Sequence, residues 1–405
     1  MASNPLPAVP SPAEGGLLVG HWPHLRGKDS TARIMWSVAA CLAPAAAASG
    51  YFFGWRAYLM IALAVGTAVA VEAIITRLRL GKTPVADGSA VVTGLLVAFC
   101  LPAQARWFVP VVASVVAIAI AKQCFGGLGC NIWNPALIGR AFVQVSFSQD
   151  MNPSKYPVLE GGHFTADIGT MFQKLPETVQ AVTGASPMGL LKRLASQEVA
   201  ETVDAAGPQV QTALAQALEA ARGRIPSMIS DELPSLGSMA LGNIGGNLGE
   251  TSAVLLVLGA IYLIAKGWVR WQVPVAYIIT VAIGAVALPL VVTTKAAAGE
   301  TVLATQSHYI WVASFGSAVA GKFVAYHLLG GGLVLGALYM ATDMVTTPLS
   351  GRGLFIFGLG CGVLTILIRL YGGYPEAVCY SILLMNTVVP HIDRFTQPRI
   401  FGHKR

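Results

Sequence analysis

Apolar runs recur from about residue 34 to about residue 389, and they constrain the fold more than any other feature. Several reach the ~20 residues that a helix needs to cross a bilayer. Composition agrees: 55% of the 405 residues are hydrophobic and 11% are charged, where a soluble domain carries ~25% charged residues. An all-α polytopic membrane protein is expected, with the lipid bilayer as its first partner. The formal net charge of +7 comes without a basic stripe interleaved with aromatics, so nucleic acid is not an expected partner.

The pattern predicts ten spans, over residues 34–51, 58–75, 89–101, 108–121, 136–147, 251–265, 273–292, 326–344, 354–370 and 377–389. They divide the chain into an N-terminal tail (1–33), a first membrane half with helices 1–5 (34–149), a hydrophilic loop (150–249), a second half with helices 6–10 (250–391) and a C-terminal tail (392–405). Residues 1–20 are rich in Pro, Ala, Gly and Ser and read as a disordered tail without a cleavable signal peptide. With the N-terminus inside, the internal side collects fourteen Lys and Arg, from Arg26 to Arg405, against Arg56, Arg106, Lys295 and Arg369 in the external short loops. This bias predicts cytoplasmic termini and an external 150–249 loop.

An internal repeat supports the division. Arg106-Trp-Phe-Val-Pro-Val111 recurs as Arg270-Trp-Gln-Val-Pro-Val275, and Asp87-Gly-Ser-Ala-Val91 is echoed by Glu250-Thr-Ser-Ala-Val254. By the span count one copy begins inside and the other outside, which predicts inverted repeats with a site near their interface.

Within the hydrophilic loop, Ala181-Val-Thr-Gly-Ala-Ser-Pro-Met188 places two hydroxyls, Thr183 and Ser186, around Gly184 and Ala185. On its own this is an ordinary turn. The stretch 197–222 reads as surface helix or a partly disordered insertion. Cys41, Cys100, Cys124, Cys130, Cys361 and Cys379 form no CxxC pair; buried inert thiols are expected, and no metal site. The Gly-rich segments at span borders lack a phosphate-loop ending and suit helix packing or broken helices. Asp343, at the end of an apolar run, invites a functional reading because an acid there is costly unless paired or hydrated. His327 and Lys322 have no acidic sequence neighbours that would make a proton relay. No triad, HExxH or paired-carboxylate arrangement is present in the sequence, so hydrolysis is a poor hypothesis and no catalytic residue is nominated.

Several separated motifs then occur in a familiar order: Phe125-Gly-Gly-Leu-Gly-Cys-Asn-Ile-Trp-Asn-Pro-Ala136, Val182-Thr-Gly-Ala-Ser-Pro187, Gly249-Glu-Thr-Ser252, His327-Leu-Leu-Gly-Gly-Gly332, Met340-Ala-Thr-Asp343 and Leu383-Leu-Met-Asn386. Together they resemble RnfD, the membrane component of Rnf electron-transport complexes, and, more distantly, NqrB of the sodium-pumping NADH:quinone reductase. The resemblance covers about residues 20–400.

The resemblance implies a multi-pass component of the bacterial inner membrane, one of six in a redox-driven, ion-translocating complex. Electrons would pass between ferredoxin and NAD, coupled to Na+ or H+ transport. It also implies FMN joined through its phosphate to a hydroxyl in the periplasmic loop by a flavin transferase. That position falls on Ser186, framed by Thr183, Gly184 and Ala185, where the family usually has threonine. A second, non-covalent flavin (riboflavin or FMN) is implied within the membrane, and Asn131, Asn134 and Glu250 are the candidates for its polar contacts. An NqrB-like role in a quinone reductase, a secondary transporter and a non-redox scaffold stay open as alternatives.

Overall fold

The computed structural model describes residues 29–81, 85–151, 156–157, 183–184, 188, 198–199, 223, 225–227, 229–230, 233–242, 246–250, 252–296, 305–373 and 377–397. Two long helices come first. α1 (Thr31–Phe53) starts at Ser30, whose hydroxyl accepts from Arg33 N (3.2 Å). α2 (Trp55–Leu80) follows after Gly54 alone, and Gly81 ends it in the left-handed conformation (φ 62°), where a glycine carries no Cβ penalty.

The first half continues with α3 (Ser89–Phe99), α4 (Phe108–Gln123) and α5 (Pro135–Ser146). α4 is α-helical to Val115 and π-helical from Val116. The second half contains α6 (Leu236–Leu241), α7 (Ala253–Ala265), α8 (Gln272–Ala287), α9 (Ser317–Leu329), α10 (Leu333–Met340), α11 (Gly351–Tyr371) and α12 (Val378–Phe395). Among the described residues, α1, α2 and α11 are long and apolar enough to cross a membrane, and α9 with α10 is a bent pair that passes the same test only when taken together.

The predicted boundaries shift in informative places. The expected 326–344 span is two helices meeting at 59°, because Gly331 and Gly332 adopt φ of 64° and 65° and stop α9. The expected 273–292 helix ends at Ala287, and Leu290–Ala296 becomes a strand instead. Its Val-Val-Thr-Thr run is β-branched, which favours a pleated surface.

Five short strands accompany the helices, so the described residues are mostly rather than wholly helical. β1 (Tyr156–Pro157) pairs antiparallel with β2 (Thr183–Gly184). β3 (Glu198–Val199) lies parallel to β4 (Leu290–Ala296), which forms a hairpin with β5 (Thr305–Ile310). Glu198 and Val199 are strand rather than surface helix, one of the two readings of 197–222; the rest of that stretch lies outside the described residues. Backbone pairing thus stitches the hydrophilic loop to the second membrane half.

Side-chain contacts order the helix ends. Trp36 Nε1 donates to Ala86 O (3.1 Å), Lys122 Nζ to Ser89 Oγ (2.7 Å) and Trp268 Nε1 to Asp29 Oδ2 (3.0 Å). The starts of α1, α3 and α8 and the end of α4 consequently share one face of the protein. The sequence repeat also lands on equal local structure: Trp107 and Trp271 both immediately precede a helix, and Asp87 and Glu250 both end a 3₁₀ turn.

Large apolar side chains such as Ile74, Leu78, Ile261, Ile279 and Ile283 are exposed, as suits lipid contact. Inside, hydroxyls and small residues join the helices. Tyr277 of α8 meets Thr365 of α11 (2.6 Å) and Ser381 of α12 (3.0 Å), and these two meet each other (2.7 Å). Gly358 and Gly362 bring α11 against α8: a Cβ at Gly358 would stand 2.6 Å from Val273 O, and one at Gly362 would stand 2.5 Å from Thr280 Cβ. Gly362→Val is expected to destabilise the protein by about 1–3 kcal/mol or more, read as a lower thermal-unfolding midpoint in detergent.

Candidate functional site

The polar residues that the fold gathers come from turns and helix irregularities. In a regular helix, neighbours point about 100° apart, yet Lys122 and Gln123 both reach Glu72 of α2. The π-helical end of α4 is the local irregularity that accompanies this, and such segments are frequent at functional sites. Lys122 Nζ donates to both Glu72 oxygens (2.8 Å each) and to Ser89 Oγ, and Gln123 Nε2 donates to Glu72 Oε1 (3.2 Å). Ser89 in turn donates to Asp87 (2.9 Å), and Arg79 donates to Gln123 O (2.8 Å). Lys122 and Glu72 are both buried, so this is an ion pair with all three ammonium hydrogens engaged.

Lys122 and Ser89 also line a cleft of about 790 Å³, counting the space open to solvent. Its walls are apolar at Val92, Leu96 and Leu338, and polar at Asn131, Asn134, Thr342 and Asp343. Asn134 caps α5 by accepting from Ala136 N (3.0 Å), and its amide donates to Met340 O (3.2 Å), at the π-helical end of α10. Asn131 donates to Trp133 O (3.2 Å) and lies beside the Asp343 carboxylate. Asp343 accepts from Val345 N (3.2 Å). Asn386 is buried beside Asn134, its side-chain amide 3.2 Å from Asn134 N. Two motifs far apart in sequence, 125–136 and 340–343, therefore meet at one cleft, and Asn386 of a third, 383–386, stands next to Asn134.

Glu250 is not part of that cleft. It is buried where the two halves meet, next to Gly249, which packs between Phe99 and Leu335. Its Oε1 accepts from Asn247 Nδ2 (2.9 Å), and its Oε2 has no hydrogen-bond partner among the described residues. Arg140 and Arg369 are close enough to act on its charge. His327 is also buried, with neither ring nitrogen hydrogen-bonded among the described residues and Phe323 at its edge (4.6 Å between centroids). The Arg369 guanidinium donates to His327 O, Gly330 O (2.9 Å) and Gly331 O (3.3 Å), closing the carbonyls left open where α9 breaks. The motifs 249–252 and 327–332 thus belong to a second polar cluster, separate from the cleft.

Of the expected flavin motif, Thr183 and Gly184 form β2; Ala185 and Ser186 lie outside the described residues. Sequence reasoning gave no site role to Glu72, Lys122 or Arg369. Glu72 had a signal, as an acid inside a predicted span. Lys122 and Arg369 read as loop cations because they fall at the edges of apolar runs. The cysteines divide: Cys100, Cys361 and Cys379 are buried, whereas Cys124 and Cys130 are exposed, because the Gly-rich turn carrying them lies at the protein surface.

The ion pair yields a direct expectation. Lys122→Met leaves the Glu72 carboxylate buried and unpaired, which costs about 3–5 kcal/mol, whereas removing both charges with Glu72→Leu added is close to neutral. Thermal-unfolding midpoints of the single and double variants in detergent check this.

Comparison with known proteins covers nearly the whole chain. Residues 18–402 match the family described as NQR2, RnfD, RnfE. The chain is 39% identical to the D component of the Na(+)-translocating ferredoxin:NAD(+) oxidoreductase complex of Acetobacterium woodii, covering 96% of each chain. It is 41% identical to the D component of the proton-translocating ferredoxin:NAD(+) oxidoreductase complex of Clostridium ljungdahlii, covering 95% of each. It is 36% identical to the D component of the ion-translocating oxidoreductase complex of Stutzerimonas stutzeri, covering 93% of each. With a match spanning both membrane halves and the loop between them, the chain belongs to the NQR2, RnfD, RnfE family.

Proposed function

We propose that this chain is the RnfD-type membrane component of an ion-translocating oxidoreductase complex, carrying flavin and helping electrons pass between ferredoxin and NAD while Na+ or H+ crosses the membrane. The observation that carries the reading is full-length similarity to proteins named for this activity. The gathering of motif residues at one cleft supports it further. The other members of a six-component complex are its partners, and a flavin transferase matures it. The bacterial inner membrane is its location.

The proposed topology has ten crossings with both termini cytoplasmic and the 150–249 loop periplasmic. It is supported by the Lys and Arg bias and by the shared face of the α4 end and the α8 start, which makes the two repeats run in opposite senses.

FMN is proposed on Ser186 as a phosphoester. A serine hydroxyl can form the same bond as the usual threonine, with less χ1 restraint. A second, non-covalent flavin is proposed in the cleft. Val92, Leu96 and Leu338 would supply apolar surface to hold it, and Asn131 and Asp343 would supply polar contacts. Asn134 is committed to capping α5 and shapes the wall. Glu250 lies in the other cluster, hydrogen-bonded to Asn247, and does not line this cleft. The bound flavins supply the electron chemistry, and the chain supplies position and electrostatics.

Intact-mass and in-gel fluorescence measurements on the purified protein test the covalent assignment. One FMN adduct is expected on Ser186, lost in Ser186→Ala; a wild-type protein without added mass refutes it. For the cleft, Asn131→Leu is expected to lower retention of acid-released flavin about tenfold, the scale of a lost buried hydrogen bond, with the covalent flavin unchanged. Equal non-covalent flavin in both proteins counts against the cleft.

A further inference from the structure

The hydrophilic loop has a foothold in the membrane half immediately after the flavin motif. Met188 is 3% exposed and packs on the break between α9 and α10. A Cβ built on Gly331 would stand 2.8 Å from Met188 Cγ and 2.7 Å from Arg369 Nη2. One built on Gly330 would stand 3.4 Å from both Met188 Cγ and Met239 Cε. Gly331 also has φ 64°, so space and backbone conformation both require glycine there. The break is itself held: Arg369 donates to the carbonyls of His327, Gly330 and Gly331. A second tie runs from α9 to the residues before α6, where Tyr326 OH donates to Pro234 O (3.0 Å).

We propose that the Arg369-held break is the seat of Met188, and that Met188 is a positioning residue for the cofactor carried by the flavin motif. This rests on the reading of Ser186 as the attachment residue. Covalent geometry carries the argument. Two residues of chain span at most ~7 Å between Cα atoms, so the Cα of Ser186 stays within that reach of Met188, which is buried against the membrane half. The phosphoester and its rotatable bonds lie beyond that point, and the Met188 seat limits how far the attachment point itself can move. Methionine suits the seat, since its unbranched thioether fills irregular gaps, here the space over two glycines.

The purified holoprotein tests the proposal with Met188→Ala, Gly331→Ala and Met188→Leu. Gly331 is distant in sequence from the motif, so Gly331→Ala is expected to keep covalent flavin at the wild-type level. Hydrogen–deuterium exchange of the peptide containing Met188 should accelerate at least about tenfold in Met188→Ala and Gly331→Ala, the consequence of losing a buried side-chain contact. Iodide quenching of the covalent flavin's fluorescence should rise in the same two variants, and the volume-conserving Met188→Leu should restore both readouts. Covalent flavin present, with exchange and quenching unchanged in both variants, overturns the proposal. A wild-type protein without covalent flavin defeats the Ser186 reading, and the positioning role with it; the exchange data then still decide whether Met188 anchors the loop.

Discussion

The constraint on which this structure depends is that a backbone group freed inside a bilayer has no water to turn to. An unsatisfied carbonyl or amide there costs several kcal/mol, so a chain that interrupts its helices must supply replacements from within. Here the replacements are specific. Arg369 closes the carbonyls at the α9–α10 break, and Asn134 takes the carbonyl of Met340 where the π-helical segment ends. After α3, Leu101 O accepts from Leu248 N (3.0 Å), and Pro102 pairs with Asn247 as an isolated bridge. The interruption in one half is therefore satisfied by the interruption in the other.

These repairs explain where the polar chemistry sits. A broken helix exposes oriented backbone groups and leaves room for side chains that a packed helix would exclude. One result is the cleft edged by Asn131, Asp343 and Lys122; another is the cluster of Glu250, Arg140, Arg369 and His327. The Lys122–Glu72 pair belongs to the same logic. Its charges are buried together and fully hydrogen-bonded, the condition under which an ion pair is tolerated away from water. A pair of this kind holds α2, α3 and α4 in one arrangement around the cleft.

Much of this was legible beforehand, for identifiable reasons. Hydropathy marks helices because the bilayer demands it, and the observed helices follow the predicted spans closely from α1 to α5. The family resemblance nominates Asn131 and Asn134, and the structure sets both on the wall of one cleft. Prediction was weakest where local and tertiary preferences compete. The run 273–292 is apolar throughout, yet its last residues join β4 once a hairpin partner, Thr305–Ile310, is available. The bend in the eighth span depends on two glycines at positive φ, which a hydropathy window averages away.

What the sequence determines by itself is the class of fold, the placement of its apolar segments, the repeat and the family. These follow from composition, local spacing and short motifs, all of which are local properties of the chain. Only the tertiary structure decided which polar residues share a site. It separated Glu250 from Asn131 and Asn134, paired Lys122 with Glu72, and set Met188 on the break that Arg369 holds. Partners of this kind lie 50 to 181 positions apart in sequence, and no periodicity along a chain encodes distances across a bundle. Burial then selects among them, because only a charge or carbonyl removed from water must find its partner inside the fold.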